Sequence, residues 1–126
     1  MQEIKAVLRI HPWFEVDKGV VFGPGRLMLF KYVKELGSLN KAAERLGMSY
    51  RAAWGKVKAT EEALGRKLLH RSRGRRGFSL TPDAEEIMHA FEKWFDEIED
   101  YAYQRARDRF PWQSEKFGSC KLEKEG

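Results

Sequence analysis

Residues 37–54 read GSLNKAAERLGMSYRAAW, and this stretch decides the fold. Ser38 is an N-cap residue, with Asn40 competing for that role. It opens a short helix predicted over Leu39–Leu46, on which Leu39, Ala42, Ala43 and Leu46 face inward. Gly47 ends that helix, since a tight turn asks for backbone angles that glycine adopts at little cost. Met48 is turn, and Ser49 caps a third helix predicted over Tyr50–Leu64, which Gly65 stops. The Ala42–Ala43 pair lets the two helices approach closely. Two capped helices around a glycine turn are the sequence pattern of a helix-turn-helix. The second helix of such a motif can enter the major groove of DNA with its first residues toward the base edges.

The same logic extends outward. Upstream, Gly23-Pro24-Gly25 is a break, and a helix is predicted from Pro24 to Glu35. Leu27, Phe30 and Val33 fit its 3.6-residue period, and Gly37 is its stop. Ala6–Ile10, Phe14–Val16 and Val20–Phe22 read as short strands of a small N-terminal β-structure across residues 4–22. Asp17-Lys18-Gly19 turns between the last two. Downstream, Lys67–Ser72 and Phe78–Thr81 read as strands flanking the basic, glycine-containing tip Arg73-Gly74-Arg75-Arg76-Gly77, a wing. Thr81 caps a long helix with Pro82 at its first position. That helix should run to about Arg109, because Pro111 forbids much continuation. The expected organisation is one winged helix-turn-helix domain over residues 1–109, whose 82–109 helix serves dimerisation. A flexible tail follows over 110–126. The fold class is mainly α with small β elements.

The chain has 126 residues, 42% hydrophobic and 34% charged, which suits one domain with a modest core. Its formal net charge is +5, and the sequence pI is about 9.4. The distribution says more than the total. Residues 41–77 hold 11 Lys or Arg against three Glu, a local net of +8. Residues 83–109 hold four Lys or Arg against nine Asp or Glu, a local net of −5. A basic head beside an acidic arm points to a polyanion, with double-stranded DNA as the first candidate. The single cysteine, Cys120, permits no internal disulfide, which suits a reducing cytoplasm. The N-terminus has no apolar leader, and no run approaches 18 apolar residues, so no membrane association is expected.

The third helix divides its residues by chemistry. Ala53, Trp54, Val57 and Leu64 are left for the core; Tyr50, Arg51, Lys56 and Lys58 are left for solvent or DNA. Ser49 and the helix N-terminus offer a hydroxyl and free N–H groups to phosphate. Arg51 has the fork for a bidentate contact to guanine. Ser38, Asn40 and Lys41 at the preceding helix start, and Arg71, Ser72, Arg73, Arg75 and Arg76 of the wing, complete the candidate DNA-binding set. No catalytic constellation stands out. His11, His70 and His89 are scattered without ligand spacing, so neither metal nor cofactor is expected. Glu61-Glu62 and Glu85-Glu86 read as helix-surface carboxylates that are solvated or pair with nearby basic residues.

On the long helix, Ile87, Phe91, Trp94, Ile98 and Tyr101 are spaced 4, 3, 4, 3, a heptad seam, and Met88, Phe95 and Ala102 widen it. Such a stripe fits pairing with the same helix of a second subunit, a homodimer matching a palindromic operator. The expected dimer interface is Ile87, Phe91, Trp94, Phe95, Ile98 and Tyr101. Packing of the stripe on its own domain is the competing reading.

The order GPGR (23–26), GSLNKAAERLGMSYRAAW, basic wing, SLTPDAEEI (79–87) resembles the N-terminal DNA-binding domain of ModE-type molybdenum-responsive regulators. The run AAERLGMS…ALG…LLHRS…LTPDA is also similar to the broader LysR-type winged helix. The resemblance covers about residues 20–108. It implies a homodimeric transcription regulator, with Ser49, Tyr50 and Arg51 in the major groove. Arg73, Arg75 and Arg76 would then touch backbone or minor groove. ModE-type regulators carry C-terminal molybdate-binding modules. This chain closes soon after the long helix, so the resemblance leaves molybdate or other oxyanion binding open. An alternative reading is an interaction module that heterodimerises with a full-length regulator through residues 87–101. Only the DNA-binding reading requires salt-dependent binding to DNA.

Overall fold

A computed structural model describes residues 4–72 and 77–118. In chain order they form β1 (Lys5–Leu8), β2 (Phe14–Val16), β3 (Gly19–Phe22), α1 (Pro24–Leu36), α2 (Leu39–Arg45) and α3 (Tyr50–Leu64). β4 (Leu69–Arg71), β5 (Phe78–Leu80), α4 (Pro82–Arg109) and β6 (Gln113–Lys116) follow. Residues 73–76 of the expected wing tip and 119–126 of the expected tail lie outside the described residues.

The helix boundaries follow from capping chemistry. Ser38 Oγ accepts from Lys41 N at 3.1 Å, Ser49 Oγ from Ala52 N at 3.0 Å, and Thr81 Oγ1 from Ala84 N at 3.2 Å. Each hydroxyl occupies one of the N–H groups that a helix start leaves without an intrahelical acceptor. Gly47, between α2 and α3, takes φ 72°, a left-handed angle at which a Cβ is strained. Asp83 and Glu85 lie in the first turn of α4 and Arg107 and Arg109 in its last, each complementing the helix dipole.

The core collects Leu27, Phe30 and Val33 from α1, Leu39, Ala42 and Ala43 from α2, and Ala53 and Val57 from α3. Leu68, Leu69 and Phe78 of the wing base join them, as do Met88, Phe91 and Phe95 of α4. β4 and β5 pair antiparallel, Leu69 opposite Leu80 and Arg71 opposite Phe78. β2 and β3 form an antiparallel hairpin with an irregularity between Phe14 and Glu15.

The sequence left the pairing of the N-terminal strands open, and one expectation, on the tail, is corrected here. The first strand does not join the hairpin of residues 14–22. β1 pairs in parallel with β6, Lys5 opposite Gln113 and Leu8 opposite Lys116. The tail expected to be unstructured from residue 110 therefore contains a strand at 113–116. After α4 ends, Pro111 redirects the chain beside β1. Gly118 N then donates to the buried Glu99 carboxylate at 2.9 Å, and Arg9 stacks over the Phe117 ring at 3.7 Å. The sequence Gln-Ser-Glu-Lys has no apolar alternation, so the period that marks a half-buried strand is missing.

Candidate nucleic-acid interface

The first turn of α3 stands clear of the core. Ser49, Tyr50 and Arg51 are exposed, with Tyr50 at 43%. Ser49 spends its oxygen on the cap, leaving its O–H as the free donor. Helix geometry leaves the Tyr50 and Arg51 N–H groups without intrahelical acceptors. The opposite face of α3 is held down by Ala53 and Val57, both fully buried. Trp54 is half-buried and packs its ring 5.6 Å from that of Phe78 in the wing base. Asn40 and Lys41, at the start of α2, are exposed, and Ser38 is half-buried as the cap.

Lys56 is exposed. Lys58 is turned back onto its own helix: its Nζ lies 4.8 Å over the Trp54 ring and 3.7 Å from Glu61. Of the two α3 lysines it is the less available to an outside partner. Arg71 is exposed and its guanidinium lies 5.1 Å from the Phe78 ring centroid. Ser72 is half-buried, and its N–H donates to Gly77 O at 2.9 Å, closing the wing base. Arg73, Arg75 and Arg76 fall outside the described residues.

The wing base is fixed at two points the sequence did not reveal. Phe78 N donates to Gly37 O at 3.1 Å, joining β5 to the turn between α1 and α2. A Cβ on Gly77 would sit 2.6 Å from that same carbonyl, so only glycine allows the approach. The second point is Glu61. Expected on the helix surface, solvated or paired with a basic residue, it is instead 8% exposed and accepts from Leu68 N at 2.8 Å and Leu69 N at 3.3 Å. Gly65 ends α3, and the returning chain brings those two N–H groups over the carboxylate one turn back. Lys67, at 3.9 Å, adds a positive neighbour. Glu85 does pair as expected, with Lys34 at 2.9 Å.

The expected dimer seam divides. Phe95 is fully buried and Phe91 4% exposed, so both fill the chain's own core and offer a partner almost nothing. Phe91 meets Phe22 edge-on at 5.3 Å, and Trp94 lies 5.1 Å from Phe14. The hairpin thus covers part of the stripe. Ile87, Trp94 and Ile98 are half-buried and Tyr101 is 67% exposed. Ile87, Ala90 and Trp94 line an apolar groove of about 450 Å³ whose other wall is the hairpin. Among the described residues no cluster of three or more His, Cys, Asp or Glu could hold a metal ion. No helix among them is long and apolar enough to cross a membrane.

Residues 25–85 match the model of the bacterial regulatory helix-turn-helix protein, lysR family. The transcriptional regulator ModE of Haemophilus influenzae is 27% identical over 97 residues, covering 75% of this chain. The chain spans 38% of that relative's length. The CbnR_DBD–DNA complex superposes with a TM-score of 0.55 at 29% identity, covering 69% of this chain and 97% of the other. The BenM_DBD complex with benA site 1 DNA gives 0.55 at 25% identity, covering 69% and 99%. Residues 25–85 therefore carry the sequence pattern and fold of a LysR-type helix-turn-helix, in a winged chain that is similar to a ModE transcriptional regulator.

Proposed function

We propose that this protein is a sequence-specific transcription regulator that binds double-stranded DNA as a homodimer in the cytoplasm and catalyses no reaction. One observation carries the reading: the first turn of α3 projects Ser49, Tyr50 and Arg51 into solvent from a segment of local charge +8. In this reading Arg51 reads a base edge, Ser49 and the α3 N-terminus hold a phosphate, and Tyr50 packs against a base methyl or donates to phosphate. Lys41, Lys56 and Arg71 neutralise phosphates around them and Asn40 donates a hydrogen bond to the backbone, with Arg73, Arg75 and Arg76 as further candidate cations. Ile87, Trp94, Ile98 and Tyr101 supply the dimer contact. The solved DNA complexes of similar domains support the first part, and the half-exposed α4 stripe supports the second.

The test is fluorescence anisotropy with duplexes from the protein's own promoter region against random duplex, at two salt concentrations. Binding that survives random competitor and weakens with salt is expected. Loss to random DNA at equal concentration would reduce the protein to a basic surface. Arg51→Ala should weaken specific binding by about 1–3 kcal/mol and leave random-duplex binding nearly unchanged. Equal loss on both duplexes would make Arg51 a phosphate contact instead.

A further inference from the structure

The N-terminal hairpin lies outside the segment that matches the helix-turn-helix family, yet it is wired into α3. The wire is Arg26, in the first turn of α1. Its Nη1 donates to Thr60 Oγ1 at 2.6 Å and, more weakly, to the carbonyls of Lys56 and Val20, both at 3.3 Å. Thr60 is fully buried and Lys56 precedes it by one turn of α3; Val20 belongs to β3. One half-buried cation thus ties three elements together, through neutral oxygens among the described residues.

From this geometry we infer that Arg26 is a positioning residue for the reading end of α3, setting its tilt against α1 and the hairpin. The inference rests on the DNA-binding reading above. Thr60 lies nine residues from Arg51, about 14 Å along the helix axis at 1.5 Å per residue. A tilt of about 5° pivoting at Thr60 would shift the Arg51 backbone by about 1 Å over that lever. Directional base contacts tolerate about half an ångström of error, whereas phosphate contacts are numerous and forgiving. A guanidinium suits the task because its planar donors hold fixed directions, which an ammonium does not.

The experiment compares Arg26→Met, Arg26→Lys and Thr60→Val with the unaltered protein, well below each variant's Tm. Affinities for the promoter duplex and for random duplex are measured, together with the salt slope of each. Arg26→Met should lose about tenfold on the promoter duplex, with random-duplex affinity and salt slope unchanged. Thr60→Val should lose part of that, and Arg26→Lys, which keeps a donor for the hydroxyl, should recover part. Equal losses on both duplexes, tracking only a lower Tm, would overturn the inference by making Arg26 a general stabiliser. Amide hydrogen exchange supplies a readout independent of DNA. Arg26→Met should speed exchange in Val20–Phe22 and in α3 together, while α4 stays protected. Unchanged exchange in the hairpin and α3 would overturn the inference as well. Should the unaltered protein fail to discriminate between duplexes, the DNA-binding reading falls, and the exchange data alone decide whether Arg26 positions α3.

Discussion

At Glu61 one carboxylate does what a longer loop would otherwise need several groups to do. The turn out of α3 leaves Leu68 and Leu69 N–H buried, and both donate to it. A buried N–H without an acceptor is costly, and hydrogen bonds to an ionised group are worth about 1.5–3 kcal/mol each. Glu61→Ala should therefore lower the unfolding free energy by about 2–3 kcal/mol, read from urea denaturation. A loss below about 0.5 kcal/mol, the level of an ordinary surface change, would mean the solvated reading of Glu61 had been right. In the sequence, Glu61 looks the same as Glu62, which is exposed. The two differ only in which faces the chain that returns from Gly65, and no local pattern reports that. Ser49 and Thr81 contrast with it, because a cap acts on N–H groups three residues away and is legible from the sequence itself.

Among the elements, the wing depends on a backbone approach rather than on its own strands, which are only three residues each. Gly77 lets β5 come close enough for Phe78 N to reach Gly37 O. Gly77→Ala would drive a methyl against a carbonyl and push the wing base away from the α1–α2 turn. Overpacking of this kind costs about 1–3 kcal/mol. The expected outcome is a lowered Tm together with weaker DNA binding. Retention of both would imply that the turn yields without strain. α1, α2, α3 and α4 were each legible, and their observed bounds lie within one residue of expectation. β1 and β6 were not legible as partners, since their pairing spans the whole chain and β6 is polar throughout.

For the whole molecule, the hairpin and α4 decide what is left for a second subunit. Phe22 and Phe14 pack against Phe91 and Trp94, which takes the inner part of the heptad stripe into the monomer. The outer part, from Ile87 past Trp94 to Ile98 and Tyr101, stays accessible to varying degrees. Tyr101 is 67% exposed, so a change there spares the monomer core. Tyr101→Glu adds a charge to an already acidic helix and, in a dimer built on this seam, should put like charges close together. Sedimentation velocity should find the variant largely monomeric, with weakened binding to a two-half-site duplex. A variant that remains dimeric would place the dimer contact elsewhere.

By itself the sequence determined the helices, their caps, the helix-turn-helix and the exposed first turn of α3, because each rests on interactions within about four residues along the chain. It also set the heptad spacing of α4. Tertiary structure alone decided how much of that stripe enters the core and how much stays exposed. It also decided where Glu61 points, what Gly77 approaches, and that β1 finds β6. Those outcomes depend on which distant segments meet, and burial and backbone hydrogen bonding are satisfied across the whole chain rather than within any window of it.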